Sequence, residues 1–153
     1  QEVIYQLIGG LRSGMGYCAM ANGNVVIGVS RSEKLKDYCA ERGGAFFRQF
    51  VLVSDGVLPS RFVLHGKVER RALARMSDDS IWFVETRHKE TLWDFADALR
   101  EYGFVDAIYI TGRSNRSWYR SDDGAIHHIG AGDESSNVTN TKATVPWLVF
   151  KCK

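Results

Sequence analysis

The sequence predicts an α+β domain, a mixed β-sheet built around a β-α-β unit and flanked by two or so helices. Three observations carry that reading. Residues 80–112 contain two short apolar runs, Ile81-Trp82-Phe83-Val84 and Ala107-Ile108-Tyr109-Ile110, with the aromatic and β-branched content of buried strands. Between them lies a helical pattern: Leu92, Phe95, Ala96 and Leu99 fall on one face. Thr91 is placed to cap that helix with Asp94 three residues on, and Gly103 is placed as its left-handed C-terminal residue. The third observation is the spacing of turn signals elsewhere, which cuts the rest of the chain into hairpins. A connection of this length suits a parallel crossover, so residues 81–84 and 107–110 are expected as parallel neighbours or near-neighbours. In that arrangement Glu85 and Thr111-Gly112 share the carboxyl-terminal edge of the sheet, where open α/β sheets hold their ligands. Asp106 then begins its strand at the opposite edge, about 15 Å away, too far to pair with Glu85 as an acid and base.

The remaining elements follow in order. Residues 5–14 hold a short apolar run broken by Gly9-Gly10 and Gly14. Residues 15–20 and 25–29 flank Asn22-Gly23, a strong hairpin signal because both turn residues tolerate positive φ. Ser30 with Glu33 reads as a capping box opening a helix whose buried face is marked by Leu35, Tyr38 and Cys39, ending at Gly43-Gly44. Residues 46–53 form a strand closed by Ser54-Asp55-Gly56. Residues 61–66 are ambiguous in type. Residues 71–76 and 81–84 make a hairpin around 77–80, and residues 117–120 and 125–129 make another around Ser121-Asp122-Asp123-Gly124. Residues 130–141 are small and polar, as in an exposed loop. Residues 145–150 are the last strand, entered through Pro146 and so confined to an edge or a strand start.

With 153 residues, the chain is read as one domain over 1–153 with a core of its own. Twenty basic against 18 acidic residues leave a net charge of +2, which favours neither nucleic acid nor acidic membranes as partner. No apolar run approaches the ~20 residues of a membrane span. The first residue is Gln1, so a processed or trimmed N-terminus is expected. Composition and net charge do not set an oligomeric state.

Phosphate-loop, zinc-protease, nucleophile-elbow and dinucleotide signatures are all missing, so neither a cofactor nor a metal is expected. His127 and His128 are strand neighbours pointing to opposite faces and cannot share a metal. Cys18, Cys39 and Cys152 lack metal-site spacing; they read as buried free thiols, with room for one disulfide at most. Arg48 and the Arg70-Arg71 pair suit an anion held through a guanidinium fork, or equally an ordinary ion pair. The segment from Thr111 and Gly112 through Arg113 and Ser114 to Trp118 joins a flexible turn, hydroxyls, basic groups and an aromatic plate. That composition suits a sugar or phosphate contact.

Threonine-leucine at 91-92, Phe95-Ala96, Leu99, Gly103, Asp106-Ala107 and Thr111-Gly112 together resemble the signature region of the phosphodiester glycosidase domain family. Upstream, Gly43-Gly44-Ala45-Phe46-Phe47 and Arg70-Arg71-Ala72-Leu73 resemble two further motifs of that family, so the likeness runs with gaps from about Tyr17 to Trp147. The resemblance implies a secreted, periplasmic or cell-surface hydrolase of sugar-1-phosphodiester or related glycan linkages, with family elements also expected before Gln1. For such a hydrolase Glu85, the carboxylate on the carboxyl-terminal edge, is the candidate catalytic acid or base, and Arg48, Arg70, Thr111, Gly112, Arg113, Ser114 and Trp118 are the candidate substrate contacts. Thr111 stands where the family has an aspartate, and glycosidases generally work with two carboxylates. The alternatives are therefore a catalytically silent relative that binds a glycan or sugar phosphate, or a structural domain.

Overall fold

The computed structural model of the chain describes residues 15–29, 34–62, 64–112 and 117–129. The predicted features at Ser30, Glu33, Arg113, Ser114, Cys152 and residues 5–14, 130–141 and 145–150 lie outside those residues. Ten elements follow in order: β1 (Met15–Ala21), β2 (Asn24–Gly28), α1 (Lys34–Glu41), β3 (Ala45–Val53), β4 (Arg70–Arg75), β5 (Ile81–Glu85), α2 (Leu92–Tyr102), β6 (Asp106–Gly112), β7 (Ser117–Arg120) and β8 (Ile126–Ile129). Six strands form one sheet in the order β2-β1-β3-β6-β4-β5, and β7 pairs with β8 alone.

This corrects the predicted fold class. Among the described residues every hydrogen-bonded pair of strands is antiparallel. Among the described residues strand outweighs helix, 46% against 19%, in a curled antiparallel half-barrel that is all-β rather than α+β with a β-α-β unit. The physical reason is an inserted strand. β5 and β6 do point the same way, but β4 lies between them and bonds antiparallel to both. A capped helix joining two strands looks the same in sequence whether or not a third strand separates them.

Local chemistry explains the elements themselves. Asn22 and Gly23 take φ of 53° and 80°, the primed turn that matches the twist of β1 and β2. In α2, the Thr91 hydroxyl accepts from the Asp94 amide at 3.0 Å and donates to the Asp94 carboxylate at 2.6 Å. Gly103 closes that helix at φ 108°, with the Phe104 amide donating to the Leu99 carbonyl at 3.1 Å. Gly16 must lack a side chain, since a Cβ there would overlap the Gly28 carbonyl oxygen and the Val51 side chain.

The sheet buries both faces. On β3, Phe46 and Phe50 point to the face that carries the helices, while Phe47 points into the curl. Leu92, Phe95, Ala96 and Leu99 of α2 pack there on Ala72, Ala74, Leu52, Val53, Ala107 and Tyr109. α1 lies on β1 and β3 and inserts Cys39 between Ala19 and Phe46. Tyr38, expected on that helix's buried face, is instead half-exposed, with the Arg42 guanidinium 3.7 Å above its ring. Inside the curl, Cys18, Ile27, Leu73 and Ile108 form a second core, which brings β2 against β6 although two strands separate them in the sheet. Burial and the neighbouring Cys39 push the Cys18 thiol up to about 12, so it stays protonated and acts as a small apolar group. No helix of the described residues is long and apolar enough to cross a membrane.

Leu99 is 2% exposed in the middle of the helix-covered core. Leu99→Ala should lower unfolding free energy by about 2–5 kcal/mol, through lost burial and the cavity left behind, as read from urea denaturation. An unchanged midpoint would mean that this face of α2 does not carry the core.

Candidate functional site

Register brings several predicted residues to one end of the sheet. Arg71 stands opposite Glu85 on one side and Thr111 on the other, and Arg70 stands opposite Gly112. A bulge in β6 between these rungs and Tyr109 marks this end of the strand. Asp106 lies four rungs away, opposite Arg75, whose guanidinium it binds. Glu85 and Asp106 are thus at opposite ends, as the strand directions required.

The two arginines of β4 do different work because successive side chains leave a strand on opposite faces. Arg71 turns into the curl with Leu73, where its Nε donates to Glu85 Oε2 at 2.6 Å. The two side chains are 4% and 9% exposed. Glu85 is therefore committed to a near-buried ion pair, with one oxygen already accepting from Arg71. Arg70 turns to the helix face and is 2% exposed. Its Nη2 donates to the Gly66 carbonyl at 2.8 Å, its Nε to the Glu90 carbonyl at 3.0 Å, and its Nη1 to the Tyr109 hydroxyl at 3.4 Å. Its guanidinium also lies 5.7 Å from the Tyr109 ring centroid. Each nitrogen of the fork bonds the protein and the residue is almost wholly buried, so Arg70 braces two chain segments from beneath the surface.

Those segments are the walls of an open cleft of about 400 Å³, lined by Ser60, Arg61, Phe62, Leu64, His65, Gly66, Thr91, Leu92 and Trp93. Gly66 belongs to one wall, and Glu90 leads directly into Thr91 of the other. Val68 and Glu90 fasten the same walls further by exchanging backbone hydrogen bonds at 3.2 and 2.9 Å. Leu92 forms a buried floor, while Arg61 and His65 are exposed at the rim. Phe62 and Trp93 meet edge to face at 5.9 Å between centroids, leaving Trp93 46% exposed. The cleft therefore offers a flat aromatic surface and two basic groups on a fixed frame. Asp94 already answers the α2 N-terminus through the Thr91 cap, so the positive charge at the rim is that of Arg61.

The other predicted contacts lie elsewhere. Arg48 is on β3 opposite Tyr17, with its guanidinium 5.8 Å from the Phe46 ring. Trp118 is on β7 opposite His128, half-exposed, in the separate hairpin. Thr111 and Gly112 are placed by backbone register. Among the described residues, no three His, Cys, Asp or Glu side chains gather as a metal-binding group. The residues that sequence reasoning missed are Arg61, Phe62, His65 and Trp93. Residues 61–66 have no periodicity, and Trp93 reads as one more position on the polar side of a helix. The exposed Trp93 beside a capped N-terminus was the one available signal. Neither a protein-family description nor a curated protein matches this chain.

Removing one partner of a buried ion pair strands the other charge. Glu85→Ala should cost about 3 kcal/mol of stability in urea denaturation, and Glu85→Gln less, because an amide oxygen still accepts from Arg71. A variant as stable as the parent chain would show that the Arg71 charge is met chiefly by other groups.

Proposed function

We propose that this chain binds a sugar phosphate, or a sugar held in a phosphodiester, in the cleft between residues 60–66 and the start of α2, without hydrolysing it. The observation that carries this reading is the pairing of Arg61 and His65 with the aromatic surface of Phe62 and Trp93 around one cleft. Sugars present apolar C–H faces that pack on aromatic rings, and arginine suits phosphate oxygens through its fork of donors. A volume of about 400 Å³ is on the scale of a monosaccharide carrying a phosphate. The sequence resemblance to phosphodiester glycosidases points to the same ligand class.

Against hydrolysis stands the commitment of Glu85. Its carboxylate faces Arg71 inside the curl rather than the cleft, and Thr111 occupies the position of the family's aspartate. Binding a ligand's ground state does not by itself lower a barrier. The chemistry is thus separable from the recognition.

Calorimetric titration with glucose 1-phosphate and with N-acetylglucosamine 1-phosphate tests this. Both should bind, glucose itself far more weakly, and Arg61→Ala or Trp93→Ala should weaken binding about tenfold or more. No heat with either phosphate, or affinity indifferent to both substitutions, would contradict the assignment. Turnover of a sugar-1-phosphodiester that Glu85→Gln abolishes would establish the hydrolase reading in its place.

A further inference from the structure

β5 ends the six-stranded sheet, with β4 on one side and no strand on the other among the described residues. Free edges are usually guarded by lysine, proline or a bulge. This one reads Ile81-Trp82-Phe83-Val84 and carries none of these. Trp82 and Phe83 are 44% and 39% exposed and, as strand neighbours, lie on opposite faces. On the helix-covered face the apolar strip continues from Trp82 to Phe104 and Tyr102, with ring centroids 6.1 and 5.4 Å apart.

Charge flanks this edge with a sign change. Asp78 and Asp79 precede the strand, and Arg87, His88 and Lys89 follow it. All five are exposed. Asp79 bonds Arg75 at 2.7 Å but keeps its carboxylate 84% exposed. Glu85, the one charge within the strand, is already paired with Arg71 of its own chain.

We propose that β5 is a homotypic interface, at which the edge pairs antiparallel with the same edge of a second copy about a two-fold axis through Phe83. That register sets Ile81 opposite Glu85 and Trp82 opposite Val84. Beyond the strand ends, the same axis brings the acidic turn at Asp78 and Asp79 of each copy to the end of β5 that Arg87 and Lys89 follow in the other. Acidic and basic ends then meet twice, as an isologous contact requires. A parallel pairing would set acid against acid. Edge-to-edge addition supplies main-chain hydrogen bonds, and the charged ends fix direction and register. The opposite edge, β2, exposes Val26 but is preceded by the uncharged turn Asn22-Gly23, so it lacks the acidic end that β5 has.

Sedimentation velocity of the full chain over a dilution series tests the proposal. The chain should form a dimer that raised salt weakens. Phe83→Lys, Arg87→Glu with Lys89→Glu, and Asp78→Lys with Asp79→Lys should each weaken it about tenfold or more. Mixing the two charge-reversed chains should restore a one-to-one dimer, since each then meets its opposite at both ends. Circular dichroism of each variant should match the parent chain. A monomer at every concentration overturns the proposal. So does a dimer that all three substitutions leave intact, or a mixture of reversed chains that stays monomeric, because another surface or another occupant would then be involved.

Discussion

Two consecutive arginines on β4 hold one end of this sheet together, one on each face. Arg71 closes the inside of the curl by meeting Glu85 of β5, and Arg70 closes the outside by gripping the carbonyls of Gly66 and Glu90. Burying a guanidinium is costly unless its donors are satisfied. Here that cost is offset in two distinct ways, by a carboxylate on the inner face and by main-chain carbonyls and a phenol on the outer. Carbonyls hold a guanidinium without neutralising it, so the outer side of this end keeps a buried positive charge beside the segments that wall the cleft. That field adds to the Arg61 charge at the rim.

The brace also explains why irregular chain can form a recognition surface. Residues 60–66 have no sheet or helix ladder to define them. Their position is set by what grips them: Phe62 packs on the helix-side core and against Trp93, and the Gly66 carbonyl is held by Arg70. A loop tethered at both ends presents its side chains with less entropy left to lose on binding. The helix wall is fixed in turn by the Thr91 cap and by Leu92 beneath it. Catalysis would ask for a free carboxylate in this frame, and the nearest predicted one is tied into the opposite face.

Much of the fold was legible where the deciding interactions are local. Asn22-Gly23, the Thr91–Asp94 cap, Gly103 and the apolar stripe through Phe95 and Leu99 specify their elements within a few residues. The three hairpin pairings were legible as well, β1 with β2, β4 with β5 and β7 with β8, but the long-range order was not, because it depends on which distant strands pair. Nothing in residues 81–112 signals that Arg70–Arg75 slips between the two parallel runs, and that insertion turns an apparent β-α-β unit into part of an antiparallel half-barrel. The site was legible only in part. Arg70 and Glu85 were singled out as chemically unusual, and both are; their side chains are engaged with the protein itself, a fact that only long-range contacts decide. The cleft residues escaped because Arg61 and Trp93 are 32 positions apart, and neither carries a pattern that refers to the other.

The role of Arg70 as brace is most directly tested by amide hydrogen exchange in Arg70→Lys. Lysine keeps the charge but has a single nitrogen, which cannot span Gly66, Glu90 and Tyr109 in the geometry of a guanidinium fork. The amides of Val68 and Glu90, which bond each other's carbonyls across the cleft walls, report on it. Exchange at these two positions should rise about tenfold or more, while the amides of Ala72, Ala74 and Leu99 keep their protection. Unchanged exchange at Val68 and Glu90, or equal loosening throughout the sheet, would contradict Arg70 as the residue that sets the cleft.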